Sequence, residues 1–101
     1  MALEINKSDF QAEVLEAKET VLVDFWAPWC GPCRSVLPLV EEIAQERSDI
    51  KVCKVNVDEE MKLARQFRVM SIPTLMVVKN GEIVNQSVGA KSKEEILQML
   101  K

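Results

Sequence analysis

The sequence predicts an α/β chain with elements in the order β-α-β-α-β-α-β-β-α, forming a central mixed five-stranded sheet with four helices on both faces. Three observations carry this. The run Val21-Leu22-Val23-Asp24-Phe25-Trp26-Ala27 is apolar on both sides, as a central strand covered by helices on each face must be. Ile50 to Val57 reads as a second buried strand of the same kind. Asn80-Gly81 separates the last two strands as a tight hairpin, because Asn-Gly readily adopts positive φ at both central positions.

Taken in order, Leu3-Glu4-Ile5 alternates like a short strand. Ser8 and Gln11 have capping-box spacing and open a helix to about Ala17, with Phe10 and Val14 on its inner face. After the Val21–Ala27 strand, Trp29-Cys30-Gly31-Pro32-Cys33 marks the turn into a second helix, which Val36, Leu37, Val40, Ile43 and Ala44 carry to about Arg47. Pro38 lies inside that pattern and removes a hydrogen bond, so a kink is expected there. The kink either sets the angle at which Cys30 is presented or is a tolerated packing adaptation.

In the strand from Ile50, Cys53, Val55 and Val57 face one way and Val52, Lys54 and Asn56 the other. Asp58 is placed to cap a third helix, Glu59 to Phe67, whose stripe is Leu63, Ala64 and Phe67. The segment Val69-Met70-Ser71-Ile72-Pro73-Thr74 leads into Leu75–Val78, a strand that begins at a proline and so loses no central ladder bond. Ile83–Val88 completes the hairpin. Gly89 follows it, and Ser92 with Glu95 forms a second capping box for a last helix fastened by Ile96, Leu97, Met99 and Leu100.

With 101 residues, 48% of them hydrophobic, the chain is long enough for one core and too short for two, so residues 1–101 are expected to be a single domain. Thirteen basic and 16 acidic residues give a net charge of -3 with no long block of either sign, which makes nucleic acid and anionic membrane poor partners. Met1-Ala2-Leu3-Glu4-Ile5-Asn6-Lys7 lacks the pattern of a signal peptide and no run is long enough to span a bilayer, so a soluble, unprocessed protein is expected. Three cysteines make no dense disulfide framework, and one isolated pair suits a reducing compartment, the cytoplasm. Histidine and tyrosine are absent, so general-base chemistry near neutral pH falls to a carboxylate, a lysine or a thiolate.

The chemistry centres on Cys30 and Cys33. Unpaired N–H groups at a helix start favour an anion, here a thiolate on Cys30, which should ionise more easily than a free cysteine. Two cysteines three apart in the first turn lie on one face and can close a small disulfide ring reversibly. Cys30 is then the attacking thiol, and Cys33, deeper in the helix, resolves the mixed disulfide. Pro32 has no N–H to lose in the first turn, and Gly31 adds little bulk beside the sulfurs. A zinc site is the competing use of such a pair, but it needs four ligands where this chain offers three cysteines and no histidine. A permanent structural disulfide is the other, although so short a loop constrains the unfolded chain little.

Asp24 interrupts an apolar strand. A buried carboxylate there holds its proton tightly and suits proton transfer near pH 7, while a strand-end acid reaching solvent or a backbone amide fits the local pattern equally. Lys54 on its largely apolar strand either snorkels to water or pairs with an acid, and pairing is the reading adopted. Cys53, with no second cysteine nearby in sequence, reads as a small core residue. Pro73 can be an ordinary turn residue, Gly89 a turn glycine, and Trp26 core packing that shields the site.

The Asp24-containing strand, Trp29-Cys30-Gly31-Pro32-Cys33, Pro38, Ile72-Pro73-Thr74, Asn80-Gly81 and Gly89 together resemble the thioredoxin family over essentially the whole chain. The resemblance implies the thioredoxin fold and a general protein-disulfide reductase working through a Cys30-Cys33 dithiol/disulfide. It implies that Asp24 moves a proton to and from Cys33, with a buried water able to bridge them, and that Lys54 lies near Asp24. It also implies a cis Pro73 beside the cysteines, with Ile72 offering backbone groups to an extended substrate. Trp29, Gly31, Pro32, Ile72, Pro73 and Gly89 would form the docking surface. No bound cofactor or metal is implied. Electrons would come from thioredoxin reductase, which carries FAD and uses NADPH, and the protein would act as a monomer on disulfide-containing proteins. Two alternatives stay open: a thiol oxidase or isomerase, against which the Gly31-Pro32 dipeptide speaks, and a non-catalytic binding subunit on the same fold, against which the retained cysteines and Asp24 speak.

Overall fold

The computed structural model describes residues Met1–Lys101. Five strands, β1 (Leu3–Glu4), β2 (Thr20–Trp26), β3 (Ile50–Asn56), β4 (Thr74–Lys79) and β5 (Glu82–Val88), form one sheet in the order β1-β3-β2-β4-β5. β1 and β2 run parallel to β3, while β4 is antiparallel to both β2 and β5. Helix α1 (Lys7–Phe10, continued as a π-helical turn over Gln11–Leu15) precedes β2, and α2 (Gly31–Glu46), α3 (Met61–Gln66) and α4 (Lys93–Met99) complete the chain. The element order and mixed sheet expected from the sequence are present.

Alternation along β2 and β3 divides the interior into two layers. One face buries Val21, Val23, Phe25, Cys53 and Val55 against Phe10 and Val14 of α1 and Leu63 of α3. The other buries Leu22 and Val52 against Val36, Val40 and Ile43 of α2 and Ile96 and Leu100 at α4. Both faces of the central strands are therefore covered, and sealing them removes water from whatever polar group the strands carry inward.

Two helix starts differ from expectation. Asn6, not Ser8, caps α1: its Oδ1 accepts the Asp9 N–H at 3.0 Å and also the Ser8 hydroxyl at 2.8 Å, so the Ser8–Gln11 box does not form. Asn is as good a cap as Ser and stands nearer to the end of β1. The third helix begins at Met61 with no side-chain cap, because the Asp58 carboxylate is engaged elsewhere. The Ser92–Glu95 box forms in full, with reciprocal hydrogen bonds of 3.1 and 2.9 Å. Pro38 sits within a helix that runs unbroken from Gly31 to Glu46. At the hairpin Asn80 and Gly81 have φ of 52° and 78°. A Cβ on Gly81 would lie 2.9 Å from the Leu15 carbonyl oxygen, so both the left-handed backbone and the close approach to α1 require glycine.

Candidate active site

The end of β2 delivers the chain to the start of α2, and Cys30 is the N-cap residue of that helix. Its extended backbone (φ -86°, ψ 111°) turns the side chain back over the first turn, where Sγ accepts the Cys33 N–H at 3.2 Å. One of the helix's orphan donors thus points at the sulfur, an arrangement that stabilises negative charge there. Cys30 and Cys33 are joined by a disulfide with their Cα atoms 5.3 Å apart. Cys33 is fully buried and Cys30 almost so.

Three segments converge on the pair. The Ile72–Pro73 peptide bond is cis and places the Ile72 carbonyl oxygen 3.8 Å from Cys30 Sγ. Gly89, at φ 96°, donates its N–H to the Pro73 carbonyl at 2.8 Å, holding the end of β5 beside the cis-proline segment. Trp29 is 67% exposed, yet its indole is fixed, because Nε1 donates to both Asp58 carboxylate oxygens at 2.9 and 3.2 Å. Beside it an apolar cleft of about 390 Å³ is lined by Trp29, Val57, Val69, Met70, Ser71 and Ile72. Pro32 and Gly31 are exposed at the start of α2, and a Cβ added to Gly31 would meet nothing within 4 Å. Gly31 is therefore not demanded by packing within the chain.

Asp24 is fully buried in β2, and neither carboxylate oxygen has a hydrogen-bond partner. Burial pushes its pKa up to about 7, with the Lys54 charge pulling it down and Glu4 pushing it further up. Lys54 is its register partner on β3, but the direct ion pair expected between them is not formed. Lys54 Nζ instead pairs with Glu41 of α2 at 3.4 Å and stands 5.9 Å from the Trp26 ring centroid. An ammonium on a stem this long reaches a half-exposed carboxylate at lower desolvation cost than one sealed inside the strand. Lys54 still lies close enough to Asp24 to act on it through space.

Cys53 is fully buried on the opposite face of the sheet and free of any disulfide. Burial pushes its thiol up to about 12, only partly offset by Lys51, in line with a core residue. Sequence reasoning missed Asp58 and Glu41 as partners of the site, and Met70 as part of the cleft. Exposed Trp29 was the available signal for the first, since an indole N–H seeks an acceptor.

The Thioredoxin family model matches residues 1–101. The chain belongs to the thioredoxin family. Thioredoxin 1 of Synechococcus elongatus is 52% identical over 101 residues, covering 99% of this chain and 94% of that protein. Thioredoxin of Bacillus subtilis is 50% identical over 92 residues, 90% of this chain and 86% of that one. A bifunctional thioredoxin reductase/thioredoxin of Mycobacterium leprae is 46% identical over 101 residues, 99% of this chain but 22% of that longer protein. With the Cys30–Cys33 disulfide in place, this thioredoxin-family chain is a thiol-disulfide oxidoreductase, a protein-disulfide reductase. No group of three or more His, Cys, Asp or Glu side chains is disposed to hold a metal ion, and no helix is long and apolar enough to cross a membrane.

Proposed function

We propose that Cys30 is the nucleophile, Cys33 the resolving thiol, Asp24 the proton carrier and Lys54 the charge that tempers it. The Cys30 thiolate attacks one sulfur of a substrate disulfide, which breaks and leaves as a thiolate while a mixed disulfide forms. Asp24, as carboxylate, takes the proton of the Cys33 thiol. The Cys33 thiolate then attacks Cys30 Sγ, closing the Cys30–Cys33 disulfide and expelling the second substrate sulfur. Two electrons pass to the substrate and the expelled thiolates take up protons. The single observation that carries this reading is the Cys33 N–H held on Cys30 Sγ at the start of α2, which favours charge on the outer of the two sulfurs.

Substrate docks as an extended segment across Trp29, Gly31, Pro32, Ile72, Pro73 and Gly89, pairing with the Ile72 backbone. Apolar residues beside the scissile disulfide fill the Trp29–Ile72 cleft. The chain acts as one domain, residues 1–101, and as a monomer in the cytoplasm. It holds no cofactor, and thioredoxin reductase, with FAD and NADPH, returns the two electrons. The relative whose name joins a reductase to a thioredoxin supports that partner.

Equilibrating the pair with a glutathione buffer and following Trp26 and Trp29 fluorescence tests the direction of flow. A potential more reducing than the cytosolic glutathione pool, about −240 mV, is expected. One above roughly −200 mV would identify an oxidant or isomerase and overturn both function and compartment.

A further inference from the structure

Lys54 is the middle of a row that crosses three strands. Glu4 on β1 is its register partner on one side and Asp24 on β2 its partner on the other, so the three side chains share one face of the sheet. Glu41 of α2 reaches the same ammonium from above at 3.4 Å and accepts the Ala2 N–H at 2.9 Å. One cation therefore serves three carboxylates, and Asp24, the buried one, has no hydrogen bond of its own. The charged groups that act on Asp24 are Lys54 from β3 and Glu4 from β1, and α2, which packs over this face of the sheet, carries Cys33 and Glu41. Its register partner on β4 is uncharged Leu75.

Glu4 differs from Asp24 in its access to water. It lines a cleft of about 570 Å³ together with Ile5, Asn6, Asn56, Glu59 and Glu60. Its inner side lies against Trp26, whose indole N–H is buried near the Glu4 carboxylate without a well-formed hydrogen bond. Partial burial raises the Glu4 pKa and the nearby Lys54 charge lowers it, and its carboxylate stands two strand spacings, about 10 Å, from Asp24.

We propose that Glu4 is a positioning residue of the proton relay, whose charge, in one row with Lys54, makes the Asp24 carboxylate the stronger base toward the Cys33 proton. This rests on the reading of Asp24 as proton carrier. Without Glu4 the ammonium answers to Asp24 and Glu41 alone, and Asp24 releases its proton at lower pH. The Glu4 carboxylate is half in solvent, so screening keeps the effect modest, about half a pH unit.

The decisive measurement is the carboxyl titration of Asp24 by ¹³C NMR in the full chain, oxidised and reduced, for wild type, Glu4→Gln and Glu4→Asp. Glu4→Gln should move the Asp24 midpoint down by about half a pH unit, Glu4→Asp should largely restore it, and the melting temperature should stay unchanged at about pH 5, where Asp24 keeps its proton in the folded state of both variants. Glu41→Gln frees Lys54 from the helix side and should move the midpoint in the same direction. A midpoint that follows Glu41→Gln but ignores Glu4→Gln overturns the proposal, because Lys54 would then be governed from α2 alone. The pH profile of substrate reduction separates this from the underlying reading. If Asp24→Asn abolishes the acid limb and Glu4→Gln leaves it where it was, the relay stands and the role of Glu4 falls. An acid limb that survives Asp24→Asn removes the relay itself, and with it the claim that Glu4 serves one.

Discussion

On the face covered by α1 and α3, the central strands present Val23, Phe25, Cys53 and Val55; on the face covered by α2 and α4, the same strands present Leu22, Asp24, Val52 and Lys54. Each face carries one buried titratable acid. Burial is the main cause in both, lifting the Cys53 thiol from 9.0 to about 12 and the Asp24 carboxyl from 3.8 to about 7. The displacement is nearly the same, and the outcome is opposite. Cys53 is driven out of the range in which it can ionise, whereas Asp24 is driven into it. Desolvation thus silences one group and arms another, according to where each begins. Position relative to α2 completes the difference, since the helix that carries the cysteine pair covers the face to which Asp24 belongs.

The largest effect that probes this contrast is loss of activity. Cys30→Ser should reduce protein disulfides no faster than the uncatalysed background, with dithiothreitol as the electron source, and Cys33→Ser should accumulate a stable mixed disulfide with substrate. Cys53→Ala should retain the full rate. A Cys53→Ala variant as inactive as Cys30→Ser would erase the distinction between the two faces.

Next comes Asp24, whose burial makes stability depend on pH. Below pH 4 the carboxyl is protonated in folded and unfolded chains alike. Between pH 4 and 7 the unfolded chain ionises while the folded one keeps its proton, so the unfolded state binds fewer protons and stability falls as pH rises. The loss is complete above pH 7 and amounts to about 4 kcal/mol, roughly three pH units at 1.36 kcal/mol each. Urea denaturation should therefore find Asp24→Asn more stable than wild type by about that amount at pH 8, with little difference at pH 4. The same substitution should slow the resolving step by about 10²-fold, the lower end of general-base effects. Equal stabilities at pH 8 would mean that the carboxylate is not sealed in the strand.

Cys53 supplies the smaller counterpart. With its thiol at about 12, only about one molecule in 10⁴ carries the thiolate at pH 8. Iodoacetamide at that pH should label Cys30 in the reduced, folded protein and leave Cys53 untouched until denaturant is added. Truncation to alanine should cost about 1 kcal/mol, the scale of a small buried cavity. Labelling of Cys53 at a rate comparable to Cys30 would show that its face of the sheet opens readily.

Much of this arrangement was legible because it rests on local patterns. The apolar runs of β2 and β3, the Asn80-Gly81 turn and the Ser92–Glu95 box each decide their own element within a few residues. Ser8 and Asp58 were less legible because each had a competitor elsewhere. Asn6 stands closer to the strand end and captures the Asp9 N–H, and Asp58 meets an indole from 29 residues away. Lys54 is the instructive case at the site. Its position opposite Asp24 follows from the strand pattern, but its ion pair with Glu41 depends on how α2 lies across the sheet, which no local pattern encodes. Long-range polar partners are chosen among several acids of similar chemistry, and packing settles the choice.

The Trp29–Asp58 contact yields the smallest expected effect and probes how the reactive end is built. The indole is two-thirds exposed, so little apolar burial holds it, and two hydrogen bonds to one carboxylate fix its orientation beside the cleft. A hydrogen bond to a charged acceptor in so exposed a place contributes about 1 kcal/mol. Asp58→Ala should accordingly raise KM for protein substrates about fivefold, with kcat for a small disulfide nearly unchanged, because the ring orients the partner and takes no part in electron transfer. The Trp29 indole ¹⁵N–¹H signal should shift and broaden in the same variant. If KM stays at the wild-type value while that signal moves, docking does not depend on a fixed Trp29, and the rest of the cleft lining, Val57, Val69, Met70, Ser71 and Ile72, must suffice to bind substrate.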